Sequence, residues 1–347
     1  MVYKGCAMSH LLYKGEPRTT CVQGLPFLRN VTMKKELPVG IDDFSEFQAG
    51  NYYYIDKTWM IQDMIQSTDE MILITRPHQF GKTVNMTMIR EFFDITKDSR
   101  TLFKNLAIME TVYAKQINSR PVIYLTWKDC IGTSASAVKS KIAEQIAEEY
   151  ENYRLLFLQQ ESGENDCLYD HFHRTYEMLD EVVLDGGEVN DQLLIQSVAC
   201  LMKVIAAYYQ VKSLVLIDDY DQPMANGHRQ GFRQEMSDFF IAFFEEIGNS
   251  KEILGQIVMM GCQSMTRKKI FSELDRVSLY TARSNSKQYA AYFGFTADEA
   301  SQLFACYGVD IQIDNIHLFD YQYQFARNQQ MYSPKHIFSY IENSCAR

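Results

Sequence analysis

Gly81, Lys82 and Thr83 follow an apolar run and precede a helical pattern, and these three residue types can together hold a phosphate group. Glycine lets the main chain approach phosphate oxygens, the first turn of a helix directs N–H groups at them, and lysine adds a mobile positive charge. The threonine hydroxyl can bind Mg²⁺. Arg76 stands where a complete motif of this kind has its first glycine. An ordinary strand-to-helix turn is therefore the alternative interpretation.

Two carboxylates, Asp218 and Asp219, end a second apolar run at residues 214–217. A carboxylate at the end of a buried strand can hold Mg²⁺ beside a phosphate turn. We expect Thr83 and Asp218 to bind Mg²⁺. The run taken alone could be a solvated strand end. The two motifs in this order predict a nucleotide-binding site with Mg²⁺.

The segments around these motifs alternate between strand and helix patterns. Apolar runs predict strands, and amphipathic spacing predicts helices. The predicted strands lie at residues 71–74, 121–125, 214–217 and 256–260, and the predicted helices lie at 82–94, 138–150 and 232–247. Such alternation is typical of a mainly parallel sheet covered by helices. The predicted fold class is α/β, a three-layer sandwich of the P-loop nucleoside-triphosphatase type, followed by a small helical subdomain.

Three regions follow from the same patterns. Residues 1–33 show no periodicity and are predicted to be a poorly ordered leader, residues 34–275 form the P-loop domain, and residues 276–347 form a mostly helical subdomain. Within the last region, the spacing of Thr296 and Glu299 predicts a capping box for a helix that Gly308 ends. The acidic stretch at 161–191 is predicted to be a loop-like insertion, with helical patterning only around residues 169–179.

Net charge, cysteine spacing and the length of the apolar runs bear on which classes of function are expected. The 347 residues carry a formal net charge of -10, which disfavours sequence-independent binding to nucleic acid, although Arg267, Lys268 and Lys269 form a local basic patch. The eight cysteines lack zinc-ligand spacing and are interpreted as reduced thiols, mostly in the core. The apolar runs are short for a membrane span, so the expected location is cytoplasmic, or inside a host cell if the protein is delivered there. A protein partner or self-association is left open.

The chain resembles the AAA-ATPase-like proteins in five motifs. Residues 37–44 match Leu-Pro-x-Gly-Ile-x-x-Phe, 53–58 match Tyr-Tyr-x-Asp-Lys-Thr, and 293–296 match Phe-Gly-Phe-Thr. Residues 76–83 match the family's Arg-Pro-Arg-Arg-Phe-Gly-Lys-Thr except at His78 and Gln79, and residues 216–223 match its Leu-Ile-Asp-Glu-Tyr-Asp-x-Pro except at Asp219. The resemblance implies ATP binding at the turn that begins with Arg76. It also implies that the absence of the first glycine is characteristic of the family.

Departures from the family pattern bear on catalysis. Asp219 stands where the family has glutamate, and Met260 stands where it has threonine. The resemblance implies that the glutamate polarises the attacking water, which makes Asp219 the candidate catalytic base. It also implies that the threonine senses the terminal phosphate. Members of this family usually carry a nuclease domain as well. We find no Asp-x-Lys or Glu-x-Lys in the sequence, so we expect that nuclease chemistry to be absent.

Two hypotheses remain. The first is an ATP-binding P-loop ATPase with slow turnover, in which Arg76, Gly81, Lys82 and Thr83 bind the nucleotide. The second is a pseudo-ATPase that acts as an interaction or regulatory module without turnover.

Overall fold

A computed structural model describes residues 35–157, 166–185, 189–262, 277–282, 288–309, 322–325 and 329–345. The strands of its main sheet are β1 (Met71–Thr75), β2 (Val122–Thr126), β3 (Ser213–Asp218), β4 (Leu254–Gly261) and β5 (Val277–Thr281). They pair in parallel in the order β2-β3-β4-β1-β5. β4 therefore lies between the strand that leads to the phosphate turn and the strand that ends in the two aspartates.

Helices surround this sheet and continue beyond it. They are α1 (Phe44–Ala49), α2 (Trp59–Gln66), α3 (Lys82–Phe93), α4 (Arg100–Phe103), α5 (Ala135–Phe157), α6 (Asp166–Asp185), α7 (Asp191–Tyr209), α8 (Gln222–Gln230), α9 (Arg233–Asn249), α10 (Ala297–Tyr307) and α11 (Pro334–Cys345). An antiparallel pair, β6 (Gln322–Phe325) and β7 (Gln329–Tyr332), precedes α11. Short 3-10 turns lie at Ala107–Glu110, Val112–Gln116 and Ala290–Tyr292.

Two apolar cores cover the two faces of the sheet. Successive strand residues point to opposite faces, so Leu73 packs with α5, α6, α7 and α9, whereas Ile72 and Ile74 pack with α2 and α3. All five residues of β1 are buried, as expected for a parallel strand covered on both faces. This arrangement confirms the predicted α/β three-layer sandwich.

The acidic stretch after α5 differs from the prediction of a loop. Residues 166–185 form α6, a helix of 20 residues. Its apolar face is marked by Phe172, Tyr176 and Leu179, which are spaced by three and four residues and contact the same core as α5 and α7. The many acidic residues of the exposed face hid this period in the sequence, so the prediction of a largely loop-like segment was wrong.

The region after the nucleotide domain is partly strand. β5 pairs with β1, so the sheet includes a strand that lies beyond the boundary predicted at Asp275. α10 has the expected capping box, in which Thr296 Oγ1 accepts from Glu299 N and a Glu299 carboxylate oxygen accepts from Thr296 N, and Gly308 ends the helix with a φ of 67°. α10, β7 and α11 share a third apolar core. We call these three elements the C-terminal module. The predicted leader lies outside the described residues.

α7 is mostly apolar in composition. Among the described residues, α7 is the one helix that is long and apolar enough to cross a membrane, judged by length and composition alone. Half of its apolar 18-residue stretch is buried inside the protein. Its apolar side chains, including Val198, Leu201 and Ile205, pack in the core shared with α5 and α9. This packing is that of a core helix.

Candidate phosphate-binding site

The turn between β1 and α3 has the backbone geometry of a cradle. Gln79 and Gly81 adopt positive φ angles of 66° and 77°, and Gly81 is the residue that precedes α3. Glycine adopts such a conformation without steric cost. A Cβ atom placed on Gly81 would meet no atom within 4 Å. The space beside the first turn of α3 is therefore open to a ligand.

Lys82 directs its ammonium group back over this turn. The side chain is 7% exposed, and Nζ donates to Pro77 O at 3.1 Å and to Cys262 Sγ at 2.9 Å. Both partners are weak or neutral acceptors for a buried positive charge. An anion at the turn would be a stronger acceptor, because hydrogen bonds between ionised partners are roughly twice as strong as neutral ones.

Asp218 lies fully buried at the end of β3. Its Oδ1 accepts from Asp219 N at 3.0 Å, whereas Oδ2 accepts no hydrogen bond from the described residues. Burial and the neighbouring Asp219 carboxylate raise the pKa of Asp218 to about 6, while the hydroxyl of Thr83 and the ammonium of Lys82 lower it. The structure therefore brings Thr83, Lys82 and Asp218 together.

The pair Thr83 and Asp218 fits a hard divalent cation. Mg²⁺ prefers oxygen ligands and is usually bound through one or two carboxylates together with phosphate oxygens and water. A buried carboxylate oxygen without a partner is costly unless a ligand satisfies it. Within the described residues, no group of three or more His, Cys, Asp or Glu side chains could hold a metal by itself. A cation here would thus depend on ligands from a nucleotide and from solvent.

Asp219 follows in an unusual backbone conformation. Its φ is 50°, a region that few residues other than glycine adopt, although aspartate tolerates it better than most. Burial raises the pKa of Asp219, whereas Lys82 and His78 lower it. The side chain is only partly buried. Asp219 therefore lies on the open side of the site, next to the buried Asp218.

Cys262 and His78 also lie at the site, and the sequence alone assigned neither residue a role there. Cys262 follows β4, the strand between β1 and β3, so its side chain can face both motifs. Its Sγ lies 2.9 Å from Lys82 Nζ and 3.2 Å from His78 Nδ1. Burial raises the pKa of this thiol to about 11, while Lys82 lowers it. The position directly after β4 was the available signal, but it required knowledge of the strand order.

Close packing explains the glycine at the end of β4. A Cβ atom on Gly261 would lie 2.4 Å from Asp221 Oδ1 and 2.5 Å from the ring of Tyr220. Asp221 accepts from Cys262 N through both carboxylate oxygens at 3.2 Å, and Gly261 O accepts from Arg76 N at 3.0 Å. The end of β4 is thereby fixed to the loop after β3 and to the start of the phosphate turn.

The Arg76 side chain makes contacts other than the predicted phosphate contact. It is 2% exposed, and its guanidinium donates to the carbonyl groups of Thr75, Tyr280 and Tyr289 at 2.8 to 3.1 Å. It also lies over the ring of Phe293, 5.0 Å from the centroid. Burial lowers the pKa of Arg76 to about 10. This side chain holds the C-terminal segment against the sheet.

The motif at residues 53–58 has a structural explanation. Asp56 Oδ2 accepts from Ala107 N at 2.7 Å, and Thr58 Oγ1 accepts from Ile108 N at 3.1 Å. Lys57 Nζ is held between both carboxylate oxygens of Glu299, at 2.6 and 2.8 Å. The motif therefore ties the start of a 3-10 turn and α10 to the segment that precedes β1. The basic patch at residues 267–269 lies outside the described residues.

Comparison with known proteins places this geometry in a family context. A family model described as a predicted AAA-ATPase matches residues 38–271. The chain is also 23% identical over 274 residues to an uncharacterized protein in the vnfD 5' region of Azotobacter chroococcum mcd 1. That alignment covers 78% of the chain and 45% of the relative, so the chain spans about half the length of this relative. No solved structure matches the chain.

Proposed function

Because the chain belongs to the predicted AAA-ATPase family, we propose that it binds Mg-ATP at residues 76–83 and hydrolyses it slowly. The main-chain N–H groups of the turn and the Lys82 ammonium hold the phosphates. Thr83 and Asp218 hold Mg²⁺. Asp219 is the candidate base that positions the attacking water.

The observation that carries this proposal is the buried Asp218 Oδ2 atom. It accepts no hydrogen bond from the described residues, and it lies next to Thr83 and Lys82. A carboxylate in this position retains its charge at low cost only when a cation offsets it. Bound Mg²⁺ would supply that charge and neutralise part of the charge on the phosphates.

A pseudo-ATPase that binds nucleotide without turnover is the second candidate. The Asp219 side chain is one methylene shorter than the glutamate that the family resemblance implies at this position, and its backbone holds a positive φ. A displacement of about 1 Å from a productive geometry can cost about 100-fold in rate. This feature favours slow or absent hydrolysis without weakening the phosphate contacts.

The test is Mg-ATP binding by calorimetry, with phosphate release measured on the same samples. Lys82→Ala removes the ammonium group at the turn, and Asp218→Asn keeps the shape of the side chain but removes its charge. Lys212→Ala is the control, because Lys212 is an exposed lysine that bonds only Lys251 O among the described residues. We expect Lys82→Ala to abolish measurable binding, Asp218→Asn to remove the effect of Mg²⁺ on affinity, and Lys212→Ala to behave as the wild type.

Two of the four possible outcomes separate the candidates, and the other two contradict the proposed site. Binding with phosphate release by the wild type supports the ATPase, and binding without release supports the pseudo-ATPase. Absence of Mg-ATP binding by the folded wild type contradicts both. Equal affinity of the wild type and Lys82→Ala would show that the nucleotide binds elsewhere.

A further inference from the structure

A short segment behind the phosphate turn is anchored through its main chain. We call residues 289–294 the strap. Three of its carbonyl oxygens accept hydrogen bonds from side chains: Tyr289 O from Arg76 at 3.1 Å, Ala291 O from Lys57 at 2.8 Å, and Tyr292 O from Asn85 at 2.9 Å. The N–H of Gly294 donates to Phe80 O at 3.0 Å. These partners include the first residue of the phosphate turn, the residue before Gly81 and a residue of the first turn of α3. The turn and the strap are therefore built as one unit.

Gly294 is the point of closest approach. Its φ is 81°, and a Cβ atom there would lie 2.6 Å from the Phe80 ring and 2.7 Å from Tyr332 O. Phe80 belongs to the phosphate turn, whereas Tyr332 ends β7 of the C-terminal module. Only a glycine lets the strap pass between them. A second link is the bond from Ser333 Oγ to Gln79 O at 3.4 Å.

The strap leads directly into α10. Phe295 exchanges two main-chain hydrogen bonds with Tyr332, at 2.8 and 2.9 Å, and Thr296 caps the helix. Lys57 bonds both Ala291 O of the strap and Glu299 in the first turn of α10. A shift of the strap must therefore move the start of α10 with it, or break the hydrogen bond that Lys57 donates to Ala291 O.

We propose that the strap couples the nucleotide state of the phosphate turn to the C-terminal module. The proposal rests on the nucleotide binding proposed above. Gln79 and Gly81 hold positive φ angles on either side of Phe80, so phosphate binding at their N–H groups fixes the Phe80 carbonyl that bonds Gly294. Binding thereby stabilises the anchored strap and the module behind it. Because such coupling is reciprocal, an intact module raises nucleotide affinity by the same factor.

The test uses two glycine substitutions in the same region. Gly294→Ala places a methyl group against Phe80 and Tyr332 O. Gly308→Ala is the matched control, because Gly308 also has a positive φ, 67°, but a Cβ atom there meets nothing within 4 Å. Both variants carry the same kind of backbone strain. Only Gly294→Ala perturbs the contact with the phosphate turn.

Hydrogen exchange is measured on each full-length protein, with and without Mg-ATP. Without nucleotide, we expect Gly294→Ala to speed exchange in the phosphate turn, and Gly308→Ala to leave the turn unchanged. With Mg-ATP, the wild type and Gly308→Ala should gain protection in α10 and α11. Gly294→Ala should lose this gain and bind Mg-ATP at least about fivefold more weakly.

Several results would overturn the coupling. Protection of the turn by Mg-ATP without any change in α10 and α11 would show that the strap is only structural. Identical exchange of the turn in the two glycine variants without nucleotide would also exclude it. Absence of any nucleotide effect in the wild type contradicts the proposed function, and the nucleotide-free comparison then decides whether the turn and the strap are coupled. Asn85→Ala, which removes the bond to Tyr292 O, replaces Gly294→Ala if that variant does not fold.

Discussion

The buried ion pair between Lys57 and Glu299 gives a prediction whose magnitude follows from its surroundings. The two side chains are only 10% and 7% exposed. Lys57→Met would leave the Glu299 carboxylate buried, with the N–H of Thr296 as its remaining hydrogen-bond donor among the described residues. Removing one partner of a buried ion pair typically costs about 3–5 kcal/mol. Since whole domains are stable by about 5–15 kcal/mol, this single substitution removes a large share of the unfolding free energy.

The double variant separates the lost pair from the buried charge. Glu299→Gln keeps an acceptor for the N–H of Thr296 and removes the charge, so the capping box survives. In Lys57→Met with Glu299→Gln, no charge is buried without a partner. We expect the double variant to be more stable than Lys57→Met alone, with a coupling energy of about 1–3 kcal/mol.

Urea unfolding followed by fluorescence and circular dichroism measures these differences. The midpoints are comparable only if the dependence of unfolding free energy on urea is the same in all variants. A cost below about 1 kcal/mol for Lys57→Met would be the value of a surface pair. That result would refute the interpretation of Lys57 as a buried anchor of the strap.

Three further predictions concern the site and the edge of the sheet. Asp219→Glu should raise the rate of phosphate release at least about tenfold, because the longer side chain brings the carboxylate closer to the attacking water. An unchanged rate would contradict this explanation. Gly81→Ala should abolish Mg-ATP binding, because its methyl group enters the open space at the turn, whereas Gly231→Ala, with a φ of 91° and equally open surroundings, should bind normally. Burial raises the pKa of Glu149 from 4.5 to about 8, so the folded protein favours the protonated acid and loses stability as pH rises from about 4.5 to about 8. The unfolding free energy of Glu149→Gln should therefore depend less on pH in that window. The difference in slope from the wild type is up to about 1.4 kcal/mol per pH unit, because one proton is involved. The same dependence of the urea midpoint on pH in both proteins would contradict this prediction.

The sequence was sufficient for the local elements with strong periodicity. The capping box of α10 follows from the spacing of Thr296 and Glu299, and β1 and α3 follow from an apolar run and an amphipathic pattern around Gly81. These features depend on interactions between residues close in the chain. The proximity of Thr83 to Asp218 is a long-range feature. The sequence could suggest it only because parallel strands end at the same edge of a sheet.

Long-range placement could not be predicted in the same way. The contact of Cys262 with Lys82 depends on β4 lying between β1 and β3, and no local pattern specifies strand order. The guanidinium of Arg76 is directed at carbonyl groups that lie more than 200 positions later in the chain. α6 was missed because its acidic face dominates the composition of the segment.

The two-sided sheet has a consequence for how such a chain can change over evolutionary time. One apolar core packs against the strap, α3 and Phe80 of the phosphate turn. The core on the opposite face of the sheet packs against α5, α6, α7 and α9. Substitutions in that opposite layer alter the free energy of unfolding with little direct effect on the turn. Among homologues, we therefore expect faster divergence in α5 and α6 than in the strap, and stabilising substitutions in that layer can offset destabilising ones near the turn.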